Sequence, residues 1–242
     1  MARIATMQKK QHTSLLAAFL LIFAYVKTTL AGSLEDFHTW GTLTATGSLS
    51  PVHADLAKFR YWLEGQGRFG DDSSRFSQGI LRAGLGYAVT DTTSLWLGYG
   101  WIPSEQPIAA VPFEENRIWQ QLLWNKQYEL GTFSSRSRFE QRFMGIGNDV
   151  GWRFRQLLKA SIPLRIIDNT SFVISDEYFV DINKTDWKAD NGFDQNRLFI
   201  GIGYAFDAHA KTEIGYMNQY INKLKAPHAL NHILSVNFYL NY

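Results

Sequence analysis

Arginines and glutamates in this chain recur at alternate positions, interleaved with large apolar residues. The basic members are Arg60, Arg68, Arg82, Arg117, Arg136, Arg138, Arg142, Arg153, Arg155, Lys159 and Arg197; the acidic ones are Glu64, Glu115, Glu140, Glu177 and Glu213. A guanidinium is a planar fork of donors that grips a carboxylate or phosphate through two parallel bonds. The chemistry to expect is therefore fixed ion pairing, with the excess of +6 left over to attract anions. Arg68, Arg117, Arg136, Arg138, Arg142, Arg153, Arg155, Arg197, Glu64, Glu115, Glu140 and Glu177 are the candidate binding residues. Among the arginines, the neighbours Arg136, Arg138, Arg142, Arg153 and Arg155 are those expected to stay available to a ligand.

The alternation identifies the elements that carry these groups. In residues 59–69, Phe59, Tyr61, Leu63 and Phe69 share one parity with Gly65 and Gly67, while Arg60, Trp62, Glu64, Gln66 and Arg68 share the other. Side chains point to opposite faces at successive positions of a strand, so this is a strand with an apolar face and a charged face. The pattern recurs in eleven segments, near 36–48, 57–69, 76–89, 93–102, 115–128, 132–144, 151–163, 171–182, 194–206, 210–221 and 229–242. A soluble sandwich would bury the apolar face, whereas an outer-membrane barrel turns it to lipid and keeps the charged face in its lumen. Segment length, aromatic residues at segment ends and an apolar-faced last segment ending in Tyr242 favour the barrel. The fold expected is all-β, an antiparallel transmembrane β-barrel of about 10–12 strands. Bacterial single-chain barrels have even counts, so ten or twelve is expected, with the first segment the weakest because Thr42, Thr44 and Thr46 alternate poorly. Connections near 89–92, 129–132 and 207–210 are short and those near 70–74, 102–114, 182–192 and 222–226 longer, which predicts periplasmic turns and outer loops respectively.

Residues 1–31 read as an address. Arg3, Lys9 and Lys10 precede the apolar run 15–26 and a small-residue cleavage site, Thr29-Leu30-Ala31, and the run is too short for ~30 Å of hydrocarbon. A cleaved signal peptide over 1–31 leaves a single barrel domain over 32–242, located in the bacterial outer membrane. Its loss turns a chain of 24 basic and 22 acidic residues into one of 20 and 22, with a net charge of −2. Mean hydropathy of −0.20 excludes a bundle of apolar helices. The absence of cysteine excludes disulfide scaffolds, thiolate metal sites and cysteine nucleophiles.

Several segments resemble a family of bacterial outer-membrane barrels known only as domain of unknown function 2490. The resemblance covers about 40–242 and is carried by Glu64-Gly65-Gln66-Gly67-Arg68-Phe69, Leu97-Gly98-Tyr99, Glu115-Asn116-Arg117-Ile118-Trp119-Gln120-Gln121, Arg138-Phe139-Glu140-Gln141-Arg142-Phe143, Asp176-Glu177-Tyr178-Phe179, Phe193-Asp194-Gln195-Asn196-Arg197 and Gly215-Tyr216-Met217-Asn218-Gln219-Tyr220. It implies a fold and a compartment but no activity, so it assigns no catalytic residue.

Four readings compete on the residues. A narrow pore whose basic lumen interacts with small anionic solutes is favoured; a structural barrel sealed by its own Arg–Glu lattice is the alternative. A lipid-modifying enzyme would need His232, His228 or a partner such as His38 or Ser48 beside a nucleophile, and Ser235 has the opposite parity to His232. The remaining reading gives the loops a partner, with Trp187 and the 108–113 segment as anchors. No cofactor, metal or nucleic acid is expected: the histidines lack metal-ligand spacing, and Gly201-Ile202-Gly203 has no helix to follow it. Partners expected are outer-membrane lipid, the barrel-assembly machinery during insertion, and a small anionic solute. Gln120, Gln156 and Asp176 fall on outward rows, which predicts either an interfacial position or a bulge that shifts the register. Gly98, Gly201 and Gly203 are expected to make room for bulky inward residues such as Trp62, Trp96 and Trp119.

Overall fold

The computed structural model describes residues 34–187, 189–223 and 227–242; the expected signal segment lies outside them, as do residues 224–226 of one expected outer loop. Eleven strands follow one another: β1 (Leu34–Ser48), β2 (Phe59–Gly70), β3 (Arg75–Ala88), β4 (Thr93–Ser104), β5 (Phe113–Tyr128), β6 (Gly131–Met144), β7 (Val150–Pro163), β8 (Thr170–Asp181), β9 (Gly192–Ala205), β10 (Ala210–Ile221) and β11 (Ala229–Asn241). No strand end lies more than two residues from its expected position. Parity alone explains this accuracy. On β3, Leu81 and Leu85 are 55% and 63% exposed while Ile80 and Arg82, on either side of Leu81, are 1% and 8% exposed. Among the described residues no helix is long and apolar enough to cross a membrane, which says nothing about strands.

Each strand pairs antiparallel with its chain neighbour, and β1 closes the ring by pairing with β11. An even count is not what the structure has. In an up-and-down ring an odd number of strands sends the first and last in the same direction, so closure is parallel, from Leu34 opposite Ala229 to Thr46 opposite Asn241. Parallel ladders are only slightly weaker per residue, and thirteen opposed pairs secure the seam. Its lower end is finished by Ser48 N–H donating to the Tyr242 carbonyl (2.8 Å) and Tyr242 N–H to the Thr46 carbonyl (2.9 Å). β1 also alternates correctly. Its threonines form an inward hydroxyl row, with Thr42 accepting from Gln66 at 2.8 Å, while Leu43 is 52% exposed on the outer face.

The turns at 89–92, 129–130 and 206–209 share one end of the barrel with the 49–58 connection, which holds a single 3₁₀ turn, Ala54–Leu56. That connection and the 164–169 one are the longer segments at the short-turn end. Outward aromatics form two belts. Phe59 packs on Tyr87 (5.3 Å between centroids) and Tyr204 on Phe206 (5.2 Å) at the short-turn end; Phe69 packs on Phe76 (5.6 Å) and Phe193 on Tyr220 (6.1 Å) at the other. Such edge and stacked pairs contribute about 0.5–1.5 kcal/mol each beyond area burial. Gln120, Gln156 and Asp176 are in register, because the only register shifts lie at Arg68/Phe69 and Phe179/Val180. All three face outward between the belts.

Candidate functional site

Parity delivers the charged rows of β5 to β8 to the barrel interior, where they meet side by side. Glu115 receives both Arg117 nitrogens (2.6 and 2.7 Å) and Arg142 Nε (2.6 Å). Glu140, with no exposed surface, receives Arg153 (3.0 and 2.7 Å) and Arg155 (2.8 Å), and Arg117 and Arg138 stand 3.9 and 4.0 Å away. Glu177 takes Arg155 (3.0 and 2.8 Å) and Arg136 (2.8 Å). The result is an unbroken lattice in which each carboxylate serves at least two guanidinium groups. Separately, Glu64 pairs with Arg82 and Trp62, and Glu213 with Lys159 (2.6 Å) and Tyr239 (3.3 Å).

This arrangement corrects the expectation about which arginines are available. Arg136, Arg142, Arg153 and Arg155 are consumed by the lattice. Two further carboxylates join it: Asp181 lies 3.8 Å from Arg142, and Asp194 lies 3.5 Å from Arg153. Asp194 is the extra residue of the Phe179/Val180 bulge, which re-aims a side chain that strict parity sends outward. Asp181 has inward parity and sits at the last position of β8, two row positions beyond Glu177.

The surplus is at Arg68 and Arg197, on the wall formed by β1 to β3 and β9 to β11. Neither has a carboxylate within 4.0 Å among the described residues. Arg68 stacks on Trp40 (3.8 Å to the ring centroid) and donates to the side-chain oxygens of Gln66 (3.0 Å) and Gln78 (2.8 Å). Arg197 lies over the same tryptophan (4.9 Å) and over Phe179 (4.6 Å), and donates to Gln195 (3.2 Å). Gln195 also accepts from Gln219 (2.5 Å), which accepts from Asn231 (3.0 Å). Neutral amides and ring faces thus hold two cations that the lattice would hold with carboxylates. Arg138 is intermediate, gripped by Gln121 (2.9 and 2.7 Å) and stacked on Trp119 (4.6 Å). Buried side-chain polar atoms without a partner are, among the described residues, all nitrogens: His38 Nδ1, Trp40 Nε1, Arg82 Nε, Trp119 Nε1, Gln121 Nε2, Arg136 Nε and Arg197 Nε.

Toward the short-turn end the interior is filled by Trp62, Trp96 and Trp119, packed edge to face at 5.5 and 6.3 Å. Gly84, Gly86 and Gly98 make this possible, since a Cβ at any of them would overlap a tryptophan ring. Gly98 does so as expected; Gly201 and Gly203 instead admit Phe199, Ser171 and Val173, with neighbouring backbone against Gly201.

The candidate enzyme residues are not brought together. His232 faces outward and bonds the Tyr216 hydroxyl (2.6 Å), with Glu35 3.8 Å away, while Ser235 faces inward and accepts from Asn237 (3.1 Å). His38 is inside, bonded to Asp36 (2.7 Å); Ser48 bonds Ser50 at the opposite end; and His228 accepts from the Lys223 N–H. Among the described residues no group of three or more His, Asp and Glu is arranged to hold a metal ion.

Trp187 is not an exposed anchor either. Its Nε1 donates to the Asp149 carbonyl (2.8 Å), and its ring packs against Gly147, Gly151 and the Arg142 guanidinium (5.0 Å). Val111, by contrast, is 71% exposed. The Trp187 loop is latched by Asp186, which accepts from the backbone N–H groups of Asn148 (2.8 Å) and Asp149 (3.3 Å). Those bonds, the Asn148 one first, hold its carboxyl below the usual aspartate range. A lowered native pKa stabilises at pH values above the unfolded one and is lost as pH falls through the native value. The Trp187 signal, taken as wild type minus Trp187→Phe fluorescence, is therefore expected to stay constant at neutral pH and change only below about pH 4, and Asp186→Asn should remove the transition. A transition centred above about pH 5 would contradict the latch.

A family model described as "Protein of unknown function (DUF2490)" matches residues 37–229. An uncharacterized protein of Methylorubrum extorquens is 35% identical over 238 residues, which covers 96% of this chain and 99% of the relative. With the family match running from the start of β1 to the start of β11, this chain belongs to the DUF2490 family, a family of unknown function.

Proposed function

We propose that the protein is a bacterial outer-membrane β-barrel with a basic lumen that holds a small anion, phosphate or carboxylate, beside Arg68 and Arg197, and that its filled interior does not serve open diffusion. The membrane reading is supported by an apolar outer wall between two aromatic belts and by strands of 12 to 16 residues, long enough to cross with tilt. One observation carries the anion reading: among the described residues two N–H donors, Trp40 Nε1 and Arg197 Nε, are buried without a partner beside Arg68 and Arg197, neither of which has a carboxylate within 4.0 Å. An acceptor-rich anion answers both the missing charge and the missing hydrogen bonds.

Titration of the refolded barrel with inorganic phosphate and with acetate tests this. Binding is expected, weakened about tenfold or more by each of Arg68→Gln and Arg197→Gln, because a hydrogen bond to a charged group contributes ~1.5–3 kcal/mol. Planar-bilayer recording should show little steady conductance. A large steady conductance overturns the filled lumen; absence of binding for both anions returns the barrel to a purely structural role, which the saturated lattice around Glu140 favours as the second reading.

A further inference from the structure

We infer that the outward face of β5 to β7 is an interface with a second copy of this chain in the plane of the membrane, an inference that rests on the membrane reading above. Elsewhere around the ring the outer wall between the belts is built mainly from residues such as Leu43, Leu63, Leu85 and Leu97, with Asp176 on β8 bonded by Asn196 on β9. On β5 to β7 the same band carries Gln120, Gln141, Ser135, Ser137 and Gln156, in unbroken register. Gln120 and Gln141 exchange amide bonds at 3.1 and 3.3 Å, and Gln156 donates to Ser135 (2.9 Å) and accepts from Ser137 (2.6 Å).

Pairing leaves one N–H of the Gln120 amide and one of the Gln141 amide unused, and hydrocarbon offers no acceptor. Polar groups at this depth are costly against lipid and become adhesive against protein. The chemistry selects the occupant. Every group of the band is neutral and both donates and accepts, so the band complements itself; no lysine or arginine stands among them to recognise a lipid phosphate. A twofold axis along the membrane normal would set the band of one copy against that of the other with both barrels inserted the same way. A shallow depression of about 270 Å³ opens there between Leu95, Leu122, Phe139 and Phe154, large enough to receive an apolar side chain from the facing copy.

The chain contains no cysteine, so single cysteines report proximity without background. Leu122→Cys and Ser137→Cys lie on the band, and Leu43→Cys lies on β1 across the ring. Oxidative crosslinking in isolated membranes is expected to give a species of twice the chain mass from the first two and not from the third. Adding Gln120→Leu with Gln141→Leu to the Leu122→Cys chain should reduce that species about tenfold. Recovery in the outer-membrane fraction with no crosslink, with equal crosslinking from Leu43→Cys, or with a crosslink to a different protein, overturns the interface alone. Recovery in the soluble fraction overturns the membrane reading and the interface with it.

Discussion

Replacing Glu140 with glutamine is expected to destabilise the barrel by about 3–5 kcal/mol, the usual cost of stranding buried charge by removing one partner. The size follows from position. Glu140 is wholly buried, bonds Arg153 and Arg155 directly and has Arg117 and Arg138 within 4.0 Å, so its loss leaves four guanidinium groups facing one another. Glutamine keeps the shape and one acceptor oxygen but not the charge. Lys211→Gln is the matched control. Lys211 is 51% exposed and 3.5 Å from Glu213, which keeps Lys159 at 2.6 Å, so the loss should be under about 1 kcal/mol, that of a surface pair. Urea unfolding of the refolded barrel in detergent measures both. A Glu140→Gln value within about 1 kcal/mol of wild type would mean that water or a bound anion already neutralises the lattice, and the ion pairing described above would not be what holds the interior.

The two kinds of information behind that prediction were not equally legible in the sequence. Which residues face inward follows from position modulo two, because a strand has only two faces; this is why the sequence alone places Glu140, Arg153 and Arg155 on the candidate row. Which carboxylate serves which guanidinium depends on the stagger between strands and on rotamers, neither of which a period reveals. Arg153 and Arg155 therefore looked available and are saturated, whereas Arg68 and Arg197, far apart in sequence, turn out to share Trp40. Asp194 shows the limit of parity itself, since one bulged residue at Phe179/Val180 reverses its side. The strand count failed for a related reason: alternation marks each strand correctly, but the even-number expectation concerns how the ring closes, and β1 meets β11 in parallel. Gln120, Gln156 and Asp176 are expected from sequence either near an interface or beside a bulge, and are instead in-register polar residues on the outer wall between the belts.

Gly84→Ala is expected to cost about 1–3 kcal/mol by itself and much less once Trp119 is made smaller. A Cβ on Gly84 would stand 2.5 Å from Trp119 Cη2 and 2.8 Å from Cζ2, inside any real carbon contact, with the next nearest atom the Leu97 carbonyl oxygen at 3.2 Å. The obstruction is thus almost wholly one ring, and that ring has no exposed surface into which to move: Trp62 lies against it and Arg138 stacks on it. Overpacking a filled core costs about 1–3 kcal/mol, and Trp119→Leu alone, which removes most of a buried indole, about 3–5 kcal/mol. If the two residues oppose each other directly, the double variant is less destabilised than the two single losses added together, by a coupling of at least about 1 kcal/mol. Gly98→Ala makes the contrasting case. A Cβ there meets the Ala83 carbonyl as well as the Trp119 ring, and backbone cannot retreat without breaking the β3–β4 ladder. Trimming Trp119 should therefore rescue Gly84→Ala and leave Gly98→Ala largely unrescued. Equal rescue of both would place the constraint in the ring alone, and rescue of neither would mean that the tryptophan cluster does not set the packing of this end of the barrel.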